Sequence, residues 1–366
     1  MHKRVIISGG GTGGHIFPAI SVANALRRID PGIEILFVGA EGRMEMEKVP
    51  AAGYKIAGLP IRGFIRSLSP ENVAVLYKLV KSLFMARKII REFNPDVVVG
   101  VGGYASGPVL RQAGRMGIPT LIQEQNSYAG VTNKLLAKKA SVICVAYDGM
   151  EKYFPASKII KTGNPVRQNF DDIDILKNEA LAFFGLKRNI PVILVLGGSL
   201  GAGTINKSLS ENIQKIASSD YQWLWQTGKN YFEKINALVS GSSCPDIAVY
   251  DFINRMDYAF AAADIIISRA GAGTISELCL VGKPVILVPS PNVAEDHQTK
   301  NALALSYRNA AIMIRDNEAV NRLADEAIKL MSDDEEKKSL SANIKMMADR
   351  DAAIRIANEV LKLAGA

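Results

Sequence analysis

The feature that most constrains this chain is a short apolar run that ends in a cluster of glycines and is followed by a helix-like segment. It occurs four times, and we call these segments the first, second, third and fourth glycine junctions. In chain order they are Val5–Gly14 (VIISGGGTGG), Val97–Gly107 (VVVGVGGYASG), Pro191–Gly203 (PVILVLGGSLGAG) and Asp264–Glu277 (DIIISRAGAGTISE). Apolar runs separated by helices are typical of strands buried on both faces of a parallel sheet. With two junctions in each half, the sequence predicts two doubly wound, Rossmann-like α/β domains.

The same alternation predicts six strands in each half. They lie near Val5–Ser8, Glu34–Val38, Asp96–Gly100, Pro119–Ile122, Ser141–Val145 and Lys158–Lys161, and near Pro191–Leu196, Gln222–Gln226, Ile247–Tyr250, Asp264–Ser268, Pro284–Val288 and Ala311–Ile314. Turn residues interrupt the pattern and predict a linker over Thr162–Asp174. We expect an N-terminal domain over residues 1–163, a C-terminal domain over 164–340, and a helix over 341–366 that packs back toward the N-terminal domain.

Composition narrows the class of protein. The longest apolar runs, such as Ile190–Leu196, have the length of a buried strand, well short of the roughly 18–20 residues that span a bilayer. The chain opens on a strand-like segment without a secretory signal pattern, so we expect a cytoplasmic protein. Cys144, Cys244 and Cys279 are far apart, which predicts buried side chains and neither a disulfide framework nor a metal cluster.

The net charge of +8 is compatible with a nucleic acid, an anionic membrane or a phosphorylated substrate as partner. The basic residues do not cluster with stacking aromatics, which disfavours nucleic acid. Between Arg62 and Arg91, basic residues alternate with apolar ones that follow helical spacing from Val73 to Phe84. This stretch indicates either a helix that lies on an anionic membrane or a core-facing helix with a solvated basic face.

The first glycine junction carries a phosphate-binding pattern. Gly9, Gly11 and Gly14 satisfy G-x-G-x-x-G after a strand, which lets backbone N–H groups approach a phosphate at a helix N-terminus. A dinucleotide site with Glu41 on a ribose, or a plain strand-to-helix turn, would give the same pattern. His15 follows the loop directly, and we expect it either to act as a general base on a hydroxyl nucleophile or to orient a ligand.

Two segments of the second half bring polar residues to strand ends. After the strand that ends at Ser268, a helix begins near Thr274, and Glu277 one turn later could accept two ribose hydroxyls. The alternative is an acidic residue near a helix N-terminus that is favoured by the helix dipole. The loop Ser290–Asn301 either binds sugar hydroxyls or is simply solvated. Its polar side chains include Asp296, His297, Gln298 and Asn301.

Taken together, these segments resemble the MurG family of bacterial glycosyltransferases over most of the chain. The matching motifs are, in order, GGGTGGHIFPA (Gly9–Ala19), GVGGYASGP (Gly100–Pro108), EQNSYAG (Glu124–Gly130), GNPVR (Gly163–Arg167), GGSLGA (Gly197–Ala202), SRAGAGTISE (Ser268–Glu277) and DHQTKNA (Asp296–Ala302). The resemblance implies a GT-B fold, in which two Rossmann-like domains face each other across a cleft. It also implies transfer of N-acetylglucosamine, with inversion at C1, from UDP-N-acetylglucosamine to the C4 hydroxyl of undecaprenyl-pyrophosphoryl-N-acetylmuramyl-pentapeptide. That reaction converts lipid I to lipid II in peptidoglycan synthesis.

The resemblance also implies a set of substrate-binding positions. They are Thr12, Gly13 and Gly14 in the first loop, Asn126 of EQN, Arg167 of GNPVR, Ser199 of GGS, Ile253 with its backbone at the uracil edge, Thr274 and Glu277 at the α-phosphate and ribose, and Gln298 at the sugar. The family often has two adjacent glutamines where this chain has His297 and Gln298. A larger aliphatic residue can occur at Gly273, so no role of a side chain there is carried over.

His15 is expected to be the general base, with Glu124 as the alternative, because some group must take the proton of the acceptor hydroxyl. Tyr104 and Ser106 are expected to bind the acceptor. Because no Asp-x-Asp motif ends a strand, we expect chemistry without a metal or another cofactor. Backbone amides at helix N-termini, near Ser199 and in the fourth glycine junction, would then stabilise the departing UDP.

A lipid-linked acceptor favours the membrane interpretation of the Arg62–Arg91 stretch. We therefore expect a cytoplasmic, peripheral enzyme on the cytoplasmic face of the cell membrane. Three other functions are compatible with parts of the sequence: another GT-B transferase with a different nucleotide or acceptor, a dinucleotide-dependent oxidoreductase, and a nucleotide-sugar-binding module without catalysis. The oxidoreductase would account for the first glycine junction and leave the later motifs unexplained.

Overall fold

The computed structural model describes residues 2–62, 71–166, 173–198, 200–242, 244, 246–291 and 296–365, and only the backbone of 71–74. The chain divides into two compact units. Unit 1 comprises Met1–Arg167 together with Asp349–Ala366, and unit 2 comprises Gln168–Ala348. The chain therefore leaves unit 1, forms unit 2 and returns to unit 1 for its last residues.

Unit 1 is built on a seven-stranded parallel sheet of order β3-β2-β1-β4-β5-β6-β7. The strands are β1 (Arg4–Ser8), β2 (Glu34–Ala40), β3 (Lys55–Leu59), β4 (Val97–Gly100), β5 (Thr120–Glu124), β6 (Val142–Val145) and β7 (Ile159–Lys161). The helices that precede unit 2 are α1 (Gly13–Ile29), α2 (Glu45–Ala51), α3 (Glu71–Phe93), α4 (Ser106–Arg115) and α5 (Val131–Leu136). The strand order reverses between β1 and β4, so the first and second glycine junctions lie side by side at the carboxyl edge.

Unit 2 repeats this plan on a six-stranded parallel sheet of order β10-β9-β8-β11-β12-β13. The strands are β8 (Val192–Leu196), β9 (Gln222–Gln226), β10 (Ile247–Tyr250), β11 (Ile265–Ser268), β12 (Val285–Leu287) and β13 (Ile312–Met313). The helices are α6 (Lys177–Phe183), α7 (Gly203–Glu211), α8 (Ile213–Ala217), α9 (Phe232–Gly241), α10 (Met256–Ala262), α11 (Ala272–Val281), α12 (His297–Ser306), α13 (Asp316–Ser332) and α14 (Asp334–Lys345). Here the reversal falls between β8 and β11, which the third and fourth glycine junctions follow.

These units confirm the prediction of two doubly wound α/β domains. All twelve predicted strands are present, because runs such as Val192–Leu196 are buried on both faces of their sheet. The strand that the pattern missed is β3, which pairs with β2 at the edge of the first sheet. Its first four residues are exposed or half-buried, so Lys55–Leu59 has no continuous apolar character.

The three cysteines lie in the cores of the two units. Cys144, Cys244 and Cys279 are all buried and unpaired. Burial raises the pKa of Cys144 and of Cys279 to about 12, so both thiols stay protonated at neutral pH. Because the thiolate is the nucleophilic form, neither residue is suited to covalent catalysis.

The last helix, α15 (Ala352–Ala364), belongs to unit 1 and packs on α1. Its apolar side chains join the core between α1 and the sheet; they are Ala353, Ile356, Ala357 and Val360. The guanidinium of Arg355 donates to the Thr162 carbonyl at 2.8 Å and pairs with Asp349. Residues 341–348 stay with unit 2, where Ile344 is buried in the core.

Removing the Ile356 side chain is expected to destabilise unit 1 by about 2–5 kcal/mol, because Ile356→Ala leaves a cavity beneath α1. Both tryptophans, Trp223 and Trp225, are in unit 2, so their fluorescence reports on unit 2 while far-UV circular dichroism reports on both units. In urea, the circular dichroism transition should move to lower concentration and the fluorescence midpoint should stay in place.

The matched control is Leu135→Ala, which removes an exposed side chain of unit 1 and should change the free energy of unfolding by less than about 0.5 kcal/mol. If Ile356→Ala moved the fluorescence transition alone, the assignment of α15 to unit 1 would be wrong.

Candidate functional site

The two glycine junctions of unit 1 pack backbone against backbone. A Cβ atom at Gly103 would lie 2.3 Å from the Gly10 carbonyl oxygen, and Gly103 itself has a φ of +84°. A Cβ atom at Gly9 would lie 2.2 Å from a methyl carbon of Val101. Side chains at these positions would force the two loops apart. The glycines therefore allow the loop after β1 and the loop after β4 to lie in direct contact.

Sequence reasoning missed Glu45, a carboxylate that stabilises the first glycine junction. It is 1% exposed and accepts hydrogen bonds from the backbone N–H groups of Gly11 at 2.9 Å and Ala40 at 3.0 Å. A Cβ atom at Gly10 would lie 2.1 Å from Glu45 Oε1, so glycine is needed there to admit the carboxylate. The Gly11 amide thus already binds an anionic group of the protein, which counts against a dinucleotide phosphate at that position.

His15 lies in the first turn of α1 and is half-buried. Its Nδ1 atom is 2.9 Å from the Val101 carbonyl oxygen and 3.2 Å from Gln125 Oε1. A carbonyl oxygen can only accept, so Nδ1 carries the proton and the neutral ring keeps its lone pair on Nε2. In the neutral ring, Nε2 is therefore the atom that could accept a proton.

Just before His15, Thr12 is the N-cap of α1, and its side chain makes no capping hydrogen bond. Thr12 and Gly14 are exposed and Gly13 is half-buried. These three predicted substrate-binding residues therefore form the accessible start of α1.

Glu124 ends β5 and is 2% exposed. Its Oε1 accepts from the backbone and side-chain nitrogens of Asn126 at 3.1 and 3.3 Å, and its Oε2 accepts from Gly130 N at 2.9 Å and Asn133 Nδ2 at 2.8 Å. A carboxylate has about four lone-pair sites, and these donors use them. The geometry favours a role in holding the loop that carries Asn126, and proton transfer by Glu124 stays an untested prediction.

The two predicted acceptor-binding residues differ in accessibility. Tyr104 is 54% exposed beyond β4. Ser106 is buried, and its hydroxyl donates to the Gly103 carbonyl at 2.9 Å. Ser106 therefore helps to form the turn between β4 and α4, and its contact with an acceptor stays a prediction.

In unit 2, the third glycine junction also depends on direct backbone packing. A Cβ atom at Gly228 would lie 2.1 Å from Gly201 N, and the two glycines have φ values of +80° and +99°. Asn206 Nδ2 donates to the Thr227 carbonyl at 2.9 Å and holds α7 beside this contact. Two predicted substrate-binding residues, Ser199 and Arg167, lie outside the described residues.

The fourth junction contains a half-buried ion pair that sequence reasoning missed. The Arg269 guanidinium donates to the carbonyl oxygens of Val288 at 3.0 Å and Pro289 at 3.3 Å, and it pairs with Asp316 at the start of α13. Asp316 also accepts from Thr204 Oγ1 at 2.8 Å. This charge pair thus connects the first turn of α7, the fourth junction and the residues after β12.

These elements line a pocket of about 390 Å³, a size that suits part of a small-molecule ligand. Gln298 lines it, and its Oε1 accepts from the backbone N–H of Ser290 at 2.9 Å. The remaining lining residues are Gly201, Ala202, Gly203, Thr204, Tyr231, Arg269, Pro291 and Asp316. Because most of its walls are polar, the pocket can accept hydrogen-bonding groups.

Three further predicted residues follow two strands of unit 2, β10 and β11. Thr274 and Glu277 lie one turn apart on α11, which begins after β11, and both are half-buried. Ile253 follows β10 with its side chain buried in the core, and its N–H donates to Gln226 Oε1 at 2.9 Å. At this position, ligand recognition would have to use the backbone, as the resemblance implies.

Comparisons with known proteins agree with this arrangement. Residues 5–145 match the glycosyltransferase family 28 N-terminal domain, and residues 192–356 match its C-terminal domain. A protein of Parabacteroides distasonis is 61% identical, with 98% of both chains covered, and one of Porphyromonas gingivalis is 58% identical over 98% of this chain and 95% of its own. Both are named UDP-N-acetylglucosamine–N-acetylmuramyl-(pentapeptide) pyrophosphoryl-undecaprenol N-acetylglucosamine transferase.

Solved structures give the same fold. The crystal structure of MurG from Acinetobacter baumannii matches with a TM-score of 0.75 at 28% identity, over 98% of this chain and 99% of that one. UDP-GlcNAc 2-epimerase from Neisseria meningitidis, solved with UDP-GlcNAc bound, matches with a TM-score of 0.69 at 15% identity, over 99% of this chain and all of that one. The second likeness concerns the fold alone.

We expect Glu45→Ala to lower the free energy of unfolding by about 1–3 kcal/mol, because it leaves the buried Ala40 amide without an acceptor and releases Gly11. Chemical denaturation measures the change. Glu47→Ala is the matched control, since Glu47 is an exposed glutamate two residues along the same helix. Equal stability of the two variants would show that Glu45 does not stabilise the glycine junction.

Proposed function

Because the chain belongs to glycosyltransferase family 28, we propose that it transfers N-acetylglucosamine from UDP-N-acetylglucosamine to N-acetylmuramyl-(pentapeptide) pyrophosphoryl-undecaprenol, the step from lipid I to lipid II. The observation that carries this function is the similarity to transferases of that name over nearly the whole of both chains. The two parallel-sheet domains have the GT-B fold that the resemblance implies. An oxidoreductase would not account for either domain match.

We infer that the acceptor hydroxyl loses its proton to His15. In an inverting transfer, the acceptor oxygen attacks C1 of the donor sugar as the bond from C1 to the pyrophosphate oxygen breaks. The contact of His15 Nδ1 with the Val101 carbonyl supports this role, because it leaves Nε2 as the atom that accepts the proton. Tyr104, Ser106 and Asn126 are proposed to hold the acceptor, and Thr12 at the start of α1 is proposed to bind the donor.

Negative charge grows on UDP as the sugar leaves. Backbone N–H groups at the start of α11 and in the third glycine junction are proposed to stabilise that charge, since a helix N-terminus carries partial positive charge. Thr274 is proposed at the α-phosphate and Glu277 at the ribose, while Gln298 in the polar pocket is proposed at the sugar. Arg167 and Ser199 are proposed as further donors to the pyrophosphate.

We also propose that helix α3 binds the cytoplasmic leaflet of the cell membrane. No helix in the described parts of the chain is long and apolar enough to cross a membrane. Leu76, Val80 and Phe84 recur every four residues on α3 and are exposed, with Phe84 at 71%. Exposed large apolar side chains in a row are unusual for a solvated helix. The basic side chains that accompany them are Lys78, Lys81, Arg87, Lys88 and Arg91.

The activity test combines turnover with donor binding. UDP-N-acetylglucosamine should raise the thermal midpoint of the protein and NADH should not. His15→Ala should keep that thermal shift but lower kcat for transfer to a lipid-linked acceptor by about 10²–10⁴, because donor binding does not need the base. His2→Ala, which removes an exposed histidine, is the matched control.

A fall in kcat of less than about fivefold in His15→Ala would exclude His15 as the base. Stabilisation by NADH without any effect of UDP-N-acetylglucosamine would contradict the proposed function as a whole.

Charge reversal on α3 should release the protein from membranes. In co-sedimentation with vesicles that contain anionic lipid, changing Lys78, Lys81, Lys88 and Arg91 to Glu should lower binding more than tenfold, since each basic residue near such a surface contributes about 1 kcal/mol. The matched control reverses four exposed lysines of unit 2, namely Lys207, Lys215, Lys229 and Lys234. Equal binding by the two variants would show that α3 is not the membrane-binding surface of the protein.

A further inference from the structure

Behind His15 lies a chain of buried side-chain amides. Gln123, Gln125 and Asn164 are each 5% exposed or less. The Asn164 side chain donates to the backbone carbonyl of Gln125 at 3.1 Å, and Gln123 Nε2 contacts Asn164 Oδ1 at 3.5 Å. Buried amides need partners for their donors and acceptors, so these contacts restrict how each amide is oriented.

The orientation of Gln125 follows from its two acceptors. Its amide nitrogen donates to the Val101 carbonyl at 2.8 Å and to Gln123 Oε1. An amide nitrogen has two hydrogens, and both are used by these oxygens. The oxygen of the same amide is therefore the atom that faces His15, at 3.2 Å from Nδ1.

We propose that Gln125 is a positioning residue that holds His15 in the tautomer with Nδ1 protonated and Nε2 basic. This inference rests on the proposed role of His15 as general base. The acceptor hydroxyl then gives its proton to Nε2 and its oxygen forms the bond to C1. The electron pair of the breaking C1–oxygen bond goes to UDP, and His15 later returns its proton to solvent. Throughout the reaction, Nδ1 keeps its own proton on the Val101 and Gln125 oxygens.

A neutral amide suits this position better than a carboxylate. A carboxylate beside Nδ1 would favour the imidazolium and raise the pKa of His15, so a larger fraction of the ring would be unable to accept a proton at neutral pH. Glutamine carries no charge at any pH of interest. It can therefore orient the ring without holding it in the protonated form.

The titratable residues that contact or belong to the neighbouring loops have other partners or are exposed. Glu45 binds the backbone of Gly11 and Ala40, and Glu124 binds the loop of Asn126. Tyr104 is exposed on the loop after β4, and the first turn of α1 holds no acidic residue. The segment 162–166 contributes no ionisable side chain, although Arg355 donates to its first carbonyl. Among the described residues, the hydrogen-bond partners of the ring are thus uncharged.

The first test reads the tautomer directly in the unmodified protein. The chain has only three histidines, so a long-range proton–nitrogen NMR correlation can be assigned with His2→Ala and His297→Ala variants. At a pH where the ring is neutral, we expect the His15 signals of the Nδ1–H tautomer. A dominant Nε2–H tautomer would overturn the proposal, whether or not any Gln125 variant folds.

The second test measures the pH dependence of kcat in a Gln125→Glu variant. Gln125→Glu places a carboxylate beside Nδ1, so the pKa of His15 should rise by about one unit or more. Because the base works only when deprotonated, the acid limb of the kcat profile should move to higher pH by the same amount, with the KM for UDP-N-acetylglucosamine kept. Gln112→Glu, at a buried glutamine of α4 in the same unit, is the control and should leave the acid limb in place.

The outcomes distinguish the role of Gln125 from the role of His15 as general base. An unmoved acid limb in a folded Gln125→Glu variant would contradict the role of Gln125, while loss of turnover in His15→Ala would still support His15 as the base. Full turnover in His15→Ala would overturn the base assignment and, with it, the catalytic meaning of Gln125. The NMR result would still report which tautomer His15 adopts.

Discussion

Direct contact between glycine backbones at the carboxyl edges of both sheets is the constraint on which the rest of the structure depends. Gly103 lies against Gly10 in unit 1, and Gly228 lies against Gly201 in unit 2. Without side chains, adjacent strand ends come close enough for the helices that follow them to begin side by side. The amide groups and short polar side chains of those helices are thereby collected at one edge of each sheet.

Carboxylates that are buried or half-buried hold these edges in place. Glu45 binds the first glycine loop, Glu124 binds the loop after β5, and Asp316 pairs with Arg269 beside the polar pocket. Each carboxylate accepts from groups of the protein itself, so its energetic role is to keep backbone donors satisfied and loops in one conformation. Reacting groups placed on such loops need little reorganisation when a substrate binds, which is the condition for electrostatic stabilisation of a transition state.

The sequence was informative where local chemistry decides structure. Strands buried on both faces are continuously apolar, and the glycine junctions mark the strands at which chain order reverses, so both domains could be predicted. The edge strand β3 could not, because Lys55–Leu59 is only partly buried. Glu45 and the Arg269–Asp316 pair were missed because their significance depends on partners that are distant in sequence. Likewise, only the fold shows that Ser106 is buried while Tyr104 remains exposed.

Helix α15 gives the chain an unusual order of assembly. Unit 2 is one continuous stretch, whereas unit 1 needs the final residues of the chain to cover α1. At synthesis rates of about 5–20 residues per second, residues 168–348 take roughly 10–40 s to emerge from the ribosome. During that time the apolar face of α1 has no partner from α15. Unit 1 is therefore translated first and completed last. Until α15 is made, the apolar face of α1 is a surface that a chaperone could bind.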